Sequence, residues 1–395
     1  MDKRDFIKSL PKVKIVIGNG FDLYCGLKTK YKDYFDNNKD KYHFINEKYR
    51  EYLDMSIVDF DFPDKRINLL NSWDLFFALN GVDNNQMFDS NWCDIERLML
   101  SSFPVHVSSN ERNTVTSKID WSVVKGLVTK DEHRKCCDIY DFIAEFMKKR
   151  MKYLGANSEL FYEFLLSELK AFEKNFGNYI YEQIVPKTPE SNFIDTTKKE
   201  YFWEAEATIN ELCDINNLVS IDTFNYSDMC IENLKCPIQH INGSYQNPIF
   251  GIDSSFEPDG ECFIFTKTAR RIDSDMFNQS FERKPDFENV VIFGHSLNEA
   301  DYSYFFPLFD KLNLLDSLAN NVVVFAYSIY DEKQEKMIKS TLRKSISNIM
   351  FAYAKSKGVS EPQRFLDSLS TQNRIVIYEL PAHLNIDLQS FLKGK

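Results

Sequence analysis

Glycine is sparse in this chain: 13 residues out of 395, against 34 Phe and 20 Tyr. Sandwiches and barrels made of many short strands need glycine at their turns, so this balance argues against an all-β fold and for a bulky, helix-rich interior around a buried sheet. The 8 Cys (Cys25, Cys93, Cys136, Cys137, Cys213, Cys230, Cys236 and Cys262) show no CxxC spacing and no companion His pattern. Zinc coordination of the finger type is therefore not expected, and the thiols read as reduced packing residues. Long apolar runs are also missing. None reaches the length that crossing a bilayer requires, and the opening MDKRDFIKSLPK lacks the apolar stretch of a secretory signal, which makes the cytoplasm the expected compartment. Positive charge is short as well, 48 Lys and Arg against 59 Asp and Glu, a net charge of −11 that argues against nucleic acid and anionic membrane as partners.

What is present is apolar material, 43% of the chain, enough for one large core or for a core with a satellite domain. Val13 to Ile17 is a β-branched run that stops at Gly18-Asn19-Gly20, a strand and a tight turn, with a helix expected over Phe21 to Phe35. The texture then changes to charged and aromatic segments with helical spacing. Helices are expected over Ile67 to Asn80, Asp94 to Phe103, Asp138 to Leu154, Ser158 to Val185 and Thr196 to Asp214, and an exposed loop at Ser108 to Asn113. Strands return as Leu218 to Thr223, Pro237 to Ile241, Val290 to Gly294, Val322 to Ala326 and Arg374 to Tyr378. Their near-continuous apolar character is that of strands buried on both faces of a parallel sheet. The expected fold is thus α/β. Residues 1–35 and 215–395 form a Rossmann-like core, and 36–214 form a helical insertion after the first strand.

Polar and glycine motifs fall at the expected carboxyl ends of these strands, where open α/β folds bind ligands. Gly18-Asn19-Gly20-Phe21-Asp22 offers backbone N–H groups to a phosphate, although without a third glycine it also reads as an ordinary strand-to-helix turn. Asn225, in TFNYSD, is a candidate catalytic group or a turn residue. His240 and Asn242 share one face of the next strand if alternation holds, followed by Gly243. His240 is a candidate base or a satisfied structural residue. Gly251 would permit close approach to a ligand. Gly294 and Ser296 could meet ribose or phosphate, or Ser296 could cap a helix with Glu299 as its capping-box partner; Asp301 follows. Two further features stand apart: Lys267 with Arg270 and Arg271, which could meet phosphate, and Trp92 to Glu96, an acidic helix start that caps itself or projects a carboxylate.

In order, GNGFDL, WCDIE, FEKNFGNYI, TFNYSD, INGS with FGID, and GHSLNEADYSYF resemble the AbiH family of phage-exclusion proteins, over most of the chain. That family is in turn similar to sirtuin-like domains. The resemblance implies a sirtuin-like sheet and NAD as ligand or substrate. Gly18 and Gly20 would face the NAD phosphates, Asn225 the nicotinamide-side ribose or the attacking water, and Gly294 and Ser296 the adenosine side. It also implies phage defence by NAD glycohydrolase activity, with a phage-derived trigger and self-assembly among the partners. The chain departs from the sirtuin-like pattern at the His-Gly element, where it carries Asn242-Gly243 and the only nearby imidazole is His240. The alternatives are a nucleotide-binding sensor without catalysis, and, ranked lower for the acidic charge, a toxin acting on nucleic acid.

Overall fold

The computed structural model describes residues 1–54, 69–80, 94–103, 117–129, 138–184, 196–228, 234–253, 260–273, 286–329 and 335–381. The expected loop at 108–113, Trp92 and Cys93 lie outside the described residues. Contacts divide the chain into two compact units, residues 1–29 with 180–245 and 278–395, and residues 30–179 with 246–277.

The first unit carries a six-stranded, all-parallel sheet: β1 (Val13–Ile17), β2 (Leu218–Thr223), β3 (Ile238–His240), β4 (Asn289–Phe293), β5 (Val323–Tyr327) and β6 (Ile375–Glu379), in spatial order 3-2-1-4-5-6. β1 is central, with Ile15 opposite both Ile221 and Val291, and Ile17 opposite Thr223 and Phe293. Alternation along the strands supplies two cores. Val13, Ile15 and Ile17 pack with Ile7, Leu212, Val291 and Val324 on one face, whereas Val16 packs with Ile292, Phe305, Val323 and Ile349 on the other. Burial on both faces is why the inner strands read as largely apolar runs. The order reverses between β1 and β4, so the crossovers leave β1 in opposite directions at that point.

Every expected strand forms, displaced by one residue or less at each end. The helix expected over Phe21 to Phe35 is instead two helices, Asn19–Tyr24 and Tyr31–Asn37. Gly26 takes φ +88, and residues 27–30 between them are outside any helix. The helix expected from Ile67 begins at Ser72. The Asn71 side chain accepts from the Asp74 N–H at 2.8 Å while the Asp74 carboxylate accepts from the Asn71 N–H at 3.0 Å, a reciprocal cap that sets the start.

The second unit is helical. Its core is aromatic: Trp121 stacks on Phe76 at 5.2 Å and meets Trp73 at 5.3 Å, and the Trp73 indole N–H donates to the Leu165 carbonyl at 3.0 Å. Helix Ile139–Leu154 is capped by Asp138 and stopped by Gly155 at φ +67, and the helix Phe161–Ile184, which belongs to this unit as far as Tyr179, follows a short 3-10 turn at Ser158–Leu160. Among the described residues no helix is long and apolar enough to cross a membrane.

Candidate functional site

The turn after β1 is closed on the chain's own backbone. The Gly18 N–H donates to the Phe293 carbonyl at 3.0 Å and the Gly20 N–H to the Gly294 carbonyl at 2.8 Å. A Cβ on Gly20 would stand 2.7 Å from the Gly294 Cα, and one on Gly294 would stand 2.4 Å from the Phe21 nitrogen. These glycines therefore let the turns after β1 and β4 touch, and two N–H groups expected to face phosphate are already donated. The Asn19 side chain accepts from the Thr29 hydroxyl at 2.6 Å.

Phe21 is buried in the core, and Asp22, one residue on, turns toward the ends of β2 and β3. Asp22 is 1% exposed, and the Ser227 hydroxyl donates to its carboxylate at 2.7 Å and the Tyr201 hydroxyl at 3.2 Å. Burial pushes the Asp22 pKa up to about 6, against the pull of Ser227, Asn225, Tyr201 and the more distant His240, which favour the ionised form. Asp22 is thus a buried acid–base group at the carboxyl edge of the sheet.

Asn225 lies close enough to this carboxylate to favour its charged form. It is 2% exposed, and both its Oδ1 and its Nδ2 are buried with no hydrogen-bond partner among the described residues. Buried amides are nearly always paired, so an orphaned one at a strand end calls for an explanation. Its backbone, by contrast, is held: the N–H donates to the Thr223 hydroxyl at 3.0 Å, and the carbonyl lies 3.2 Å from His240 Nδ1.

His240 Nε2 lies 3.2 Å from an Asp228 carboxylate oxygen, so both ring nitrogens face oxygen acceptors. Asp22, the more deeply buried of the two, stands beside His240 as a second candidate for the proton-accepting role. His240 and Asp228, with side chains 17% and 38% exposed, form the solvent-facing side of the cluster. Asn242 is buried at 2% exposure, and Gly243 takes φ +81 in the same turn. Cavities of about 330 Å³ occur elsewhere in this unit. One lies at the amino ends of the strands beside Pro11, Asn289 and Asn321, and one beside Tyr327, Lys339 and Glu379 at the sheet edge.

The turn after β4 departs from the expected capping. Ser296 is exposed, Leu297 takes φ +55, and the short helical turn beyond is capped by Asn298, whose side chain accepts from the Glu299 N–H at 2.8 Å. The left-handed residue re-aims the chain, which moves the cap two positions on from Ser296. His295 fills the turn: its ring meets Phe224 at 4.3 Å, Nδ1 accepts from the Leu297 N–H at 2.9 Å, and Nε2 lies 3.5 Å from the buried Asp301.

Three features from the sequence belong to the helical unit. Gly251 makes its close approach to the chain's own backbone, since a Cβ there would meet the Phe265 carbonyl at 2.7 Å. Lys267 pairs with Glu96 at 2.8 Å, both buried, and Arg270 donates to both oxygens of Glu173 at 2.7 Å and to the Phe250 carbonyl at 2.9 Å. Lys267 and Arg270 are therefore committed to buried carboxylates, where phosphate had been an alternative partner. Among the described residues no group of three His, Cys, Asp or Glu gathers as a metal site would.

Tyr201 escapes sequence reading altogether, being one aromatic among many in a helix 179 residues from Asp22. Ser227 stands within TFNYSD and could have been found by asking which hydroxyl of that motif shares the edge with Asn225. No curated protein matches the chain. The family model for bacteriophage abortive infection AbiH, however, matches residues 15–325, which span the β1 turn, Asn225, His240 and the β4 turn; the chain belongs to the bacteriophage abortive infection AbiH family.

Proposed function

We propose that this phage-defence protein binds NAD or a related nucleotide at the carboxyl ends of β1 to β4, on a Rossmann-like sheet of the sirtuin-like kind, and cleaves its nicotinamide–ribose bond with water. The observation that carries the reading is the buried carboxamide of Asn225, which meets no hydrogen-bond geometry with any partner among the described residues, beside the Asp22 carboxylate, whose pKa is raised to about 6. The strand order 3-2-1-4-5-6, used by dinucleotide-binding sheets, supports it. Family membership supports the defence role.

In this reading the C1′–N bond breaks and its electron pair leaves with nicotinamide, so positive charge develops on the ribose. Asp22, ionised above pH 6, stabilises that charge and takes the proton of the attacking water as its oxygen bonds to C1′. Asn225 orients the water or a ribose hydroxyl through whichever end of its amide the ligand requires. His240 fixes the Asn225 backbone and is held in turn by Asp228. The products are nicotinamide and ADP-ribose, and the loss of NAD halts the infected cell.

The test is nicotinamide release from NAD by the purified protein, alone and with a phage-infected lysate, beside the Asp22→Asn and Asn225→Ala variants. Release abolished by both substitutions is expected. Absence of release from the parent protein under either condition overturns hydrolysis. A second reading, a nucleotide sensor without catalysis, is favoured by Asn242 at the position where the sirtuin-like pattern carries His. It predicts saturable NAD binding by calorimetry without product, weakened by Asn225→Ala.

A further inference from the structure

We propose that Tyr201 and Ser227 are the positioning residues of this site, holding the Asp22 carboxylate by one hydroxyl on each oxygen so that it stays ionised and aimed at Asn225. The inference rests on the reading of Asp22 as the proton acceptor, and nothing in the strand-end motifs assigns Tyr201 a role. Asp22 sits among Phe21, Tyr24 and Cys25 at 1% exposure, an apolar setting in which a lone carboxylate would be held neutral.

The two hydroxyls arrive from separate elements. Tyr201, on helix Thr196–Leu212, donates to Oδ1 at 3.2 Å, and Ser227, in the turn after β2, donates to Oδ2 at 2.7 Å. Burial pushes the Tyr201 phenol well above its ordinary range, so it remains an O–H donor and never a competing anion. Burial likewise pushes up the thiol of Cys25, the titratable group on Asp22's own helix, and keeps it neutral. Glu204 acts on Cys25 from the same helix as Tyr201; His240, paired with Asp228, faces Asp22 from β3; Asn225 faces it from the β2 turn. With one oxygen held by each hydroxyl, the carboxylate plane is fixed before any ligand arrives, the condition for a base that need not reorganise.

The experiment is a pH profile of nicotinamide release for the parent, Tyr201→Phe, Ser227→Ala and Ser227→Thr proteins. Alongside it, the Asp22 carboxyl is titrated directly by NMR after aspartate-selective ¹³C labelling, its signal assigned by its loss in Asp22→Asn. Each lost donor should raise the Asp22 midpoint by roughly half to one unit. The acid limb of kcat should move by the same interval, rate should recover at higher pH, and Ser227→Thr should restore the parent profile. Unchanged midpoints in Tyr201→Phe and Ser227→Ala, or activity lost at every pH without a shift, would show a merely structural role and overturn the inference. If the parent protein releases no nicotinamide, the hydrolase reading fails, and the NMR midpoints alone still decide whether the two hydroxyls hold Asp22.

Discussion

Replacing Asp22 with Asn should remove a pH-dependent loss of stability from the sheet-bearing unit. The folded-state pKa of Asp22 is raised to about 6 from an ordinary 3.8, so the folded protein binds that proton more tightly than the unfolded chain does. The stabilisation it contributes is therefore fully present below about pH 4 and is lost as pH rises through 6. A shift of about 2 units corresponds to roughly 3 kcal/mol. Ser227 and Tyr201 can still donate to the Asn oxygen and accept from its amide, which adds an offset that does not vary with pH. Urea unfolding of parent and variant from pH 4 to 8 should give a difference that grows by about 3 kcal/mol in favour of Asp22→Asn, with most of the change between pH 4 and 6. Other titrating groups cancel in that difference. Parallel curves across the range would refute the claim that Asp22 is buried with a raised pKa.

Three other outcomes follow from the packing. Gly294→Ala places a Cβ 2.4 Å from the Phe21 nitrogen at φ +70, and Gly20→Ala places one 2.7 Å from the Gly294 Cα. Calorimetry should show losses on the order of 1–3 kcal/mol, greater for Gly294, and a fully stable Gly294→Ala would refute the contact between the two turns. In the helical unit, Glu173→Ala strands a buried guanidinium and should cost about 3–5 kcal/mol by denaturant titration. By contrast, Lys12→Ala, which removes a surface pair with Glu288, should leave stability nearly unchanged, and an equal loss from both would contradict the difference in burial.

All six strands were legible in the sequence: the inner four are buried on both faces and so read as largely apolar runs, as Val290 to Phe293 does, and the half-buried edge strands β3 and β6 keep apolar residues such as Ile238, Ile375 and Ile377. The sequence also located the strand-end motifs, since Gly18, Asn225 and Gly294 each follow an apolar run directly. Helix Ile139–Leu154 was legible as well, with its Asp138 cap and Gly155 stop both written beside it.

Only the tertiary structure decided what these residues do with one another. That Gly20 spends its N–H on Gly294, and that Lys267 and Arg270 are committed to Glu96 and Glu173, depends on pairings between segments far apart in the chain. The break after Tyr24 and the move of the cap from Ser296 to Asn298 follow from backbone conformations at Gly26 and Leu297 that periodicity does not encode. The candidate base depends most on folding. In the sequence Asp22 is legible only as part of the GNGFD turn, and it becomes a group with a pKa near 6 only when folding buries it, with Tyr201 and Ser227, 179 and 205 residues away, donating to its oxygens against that rise.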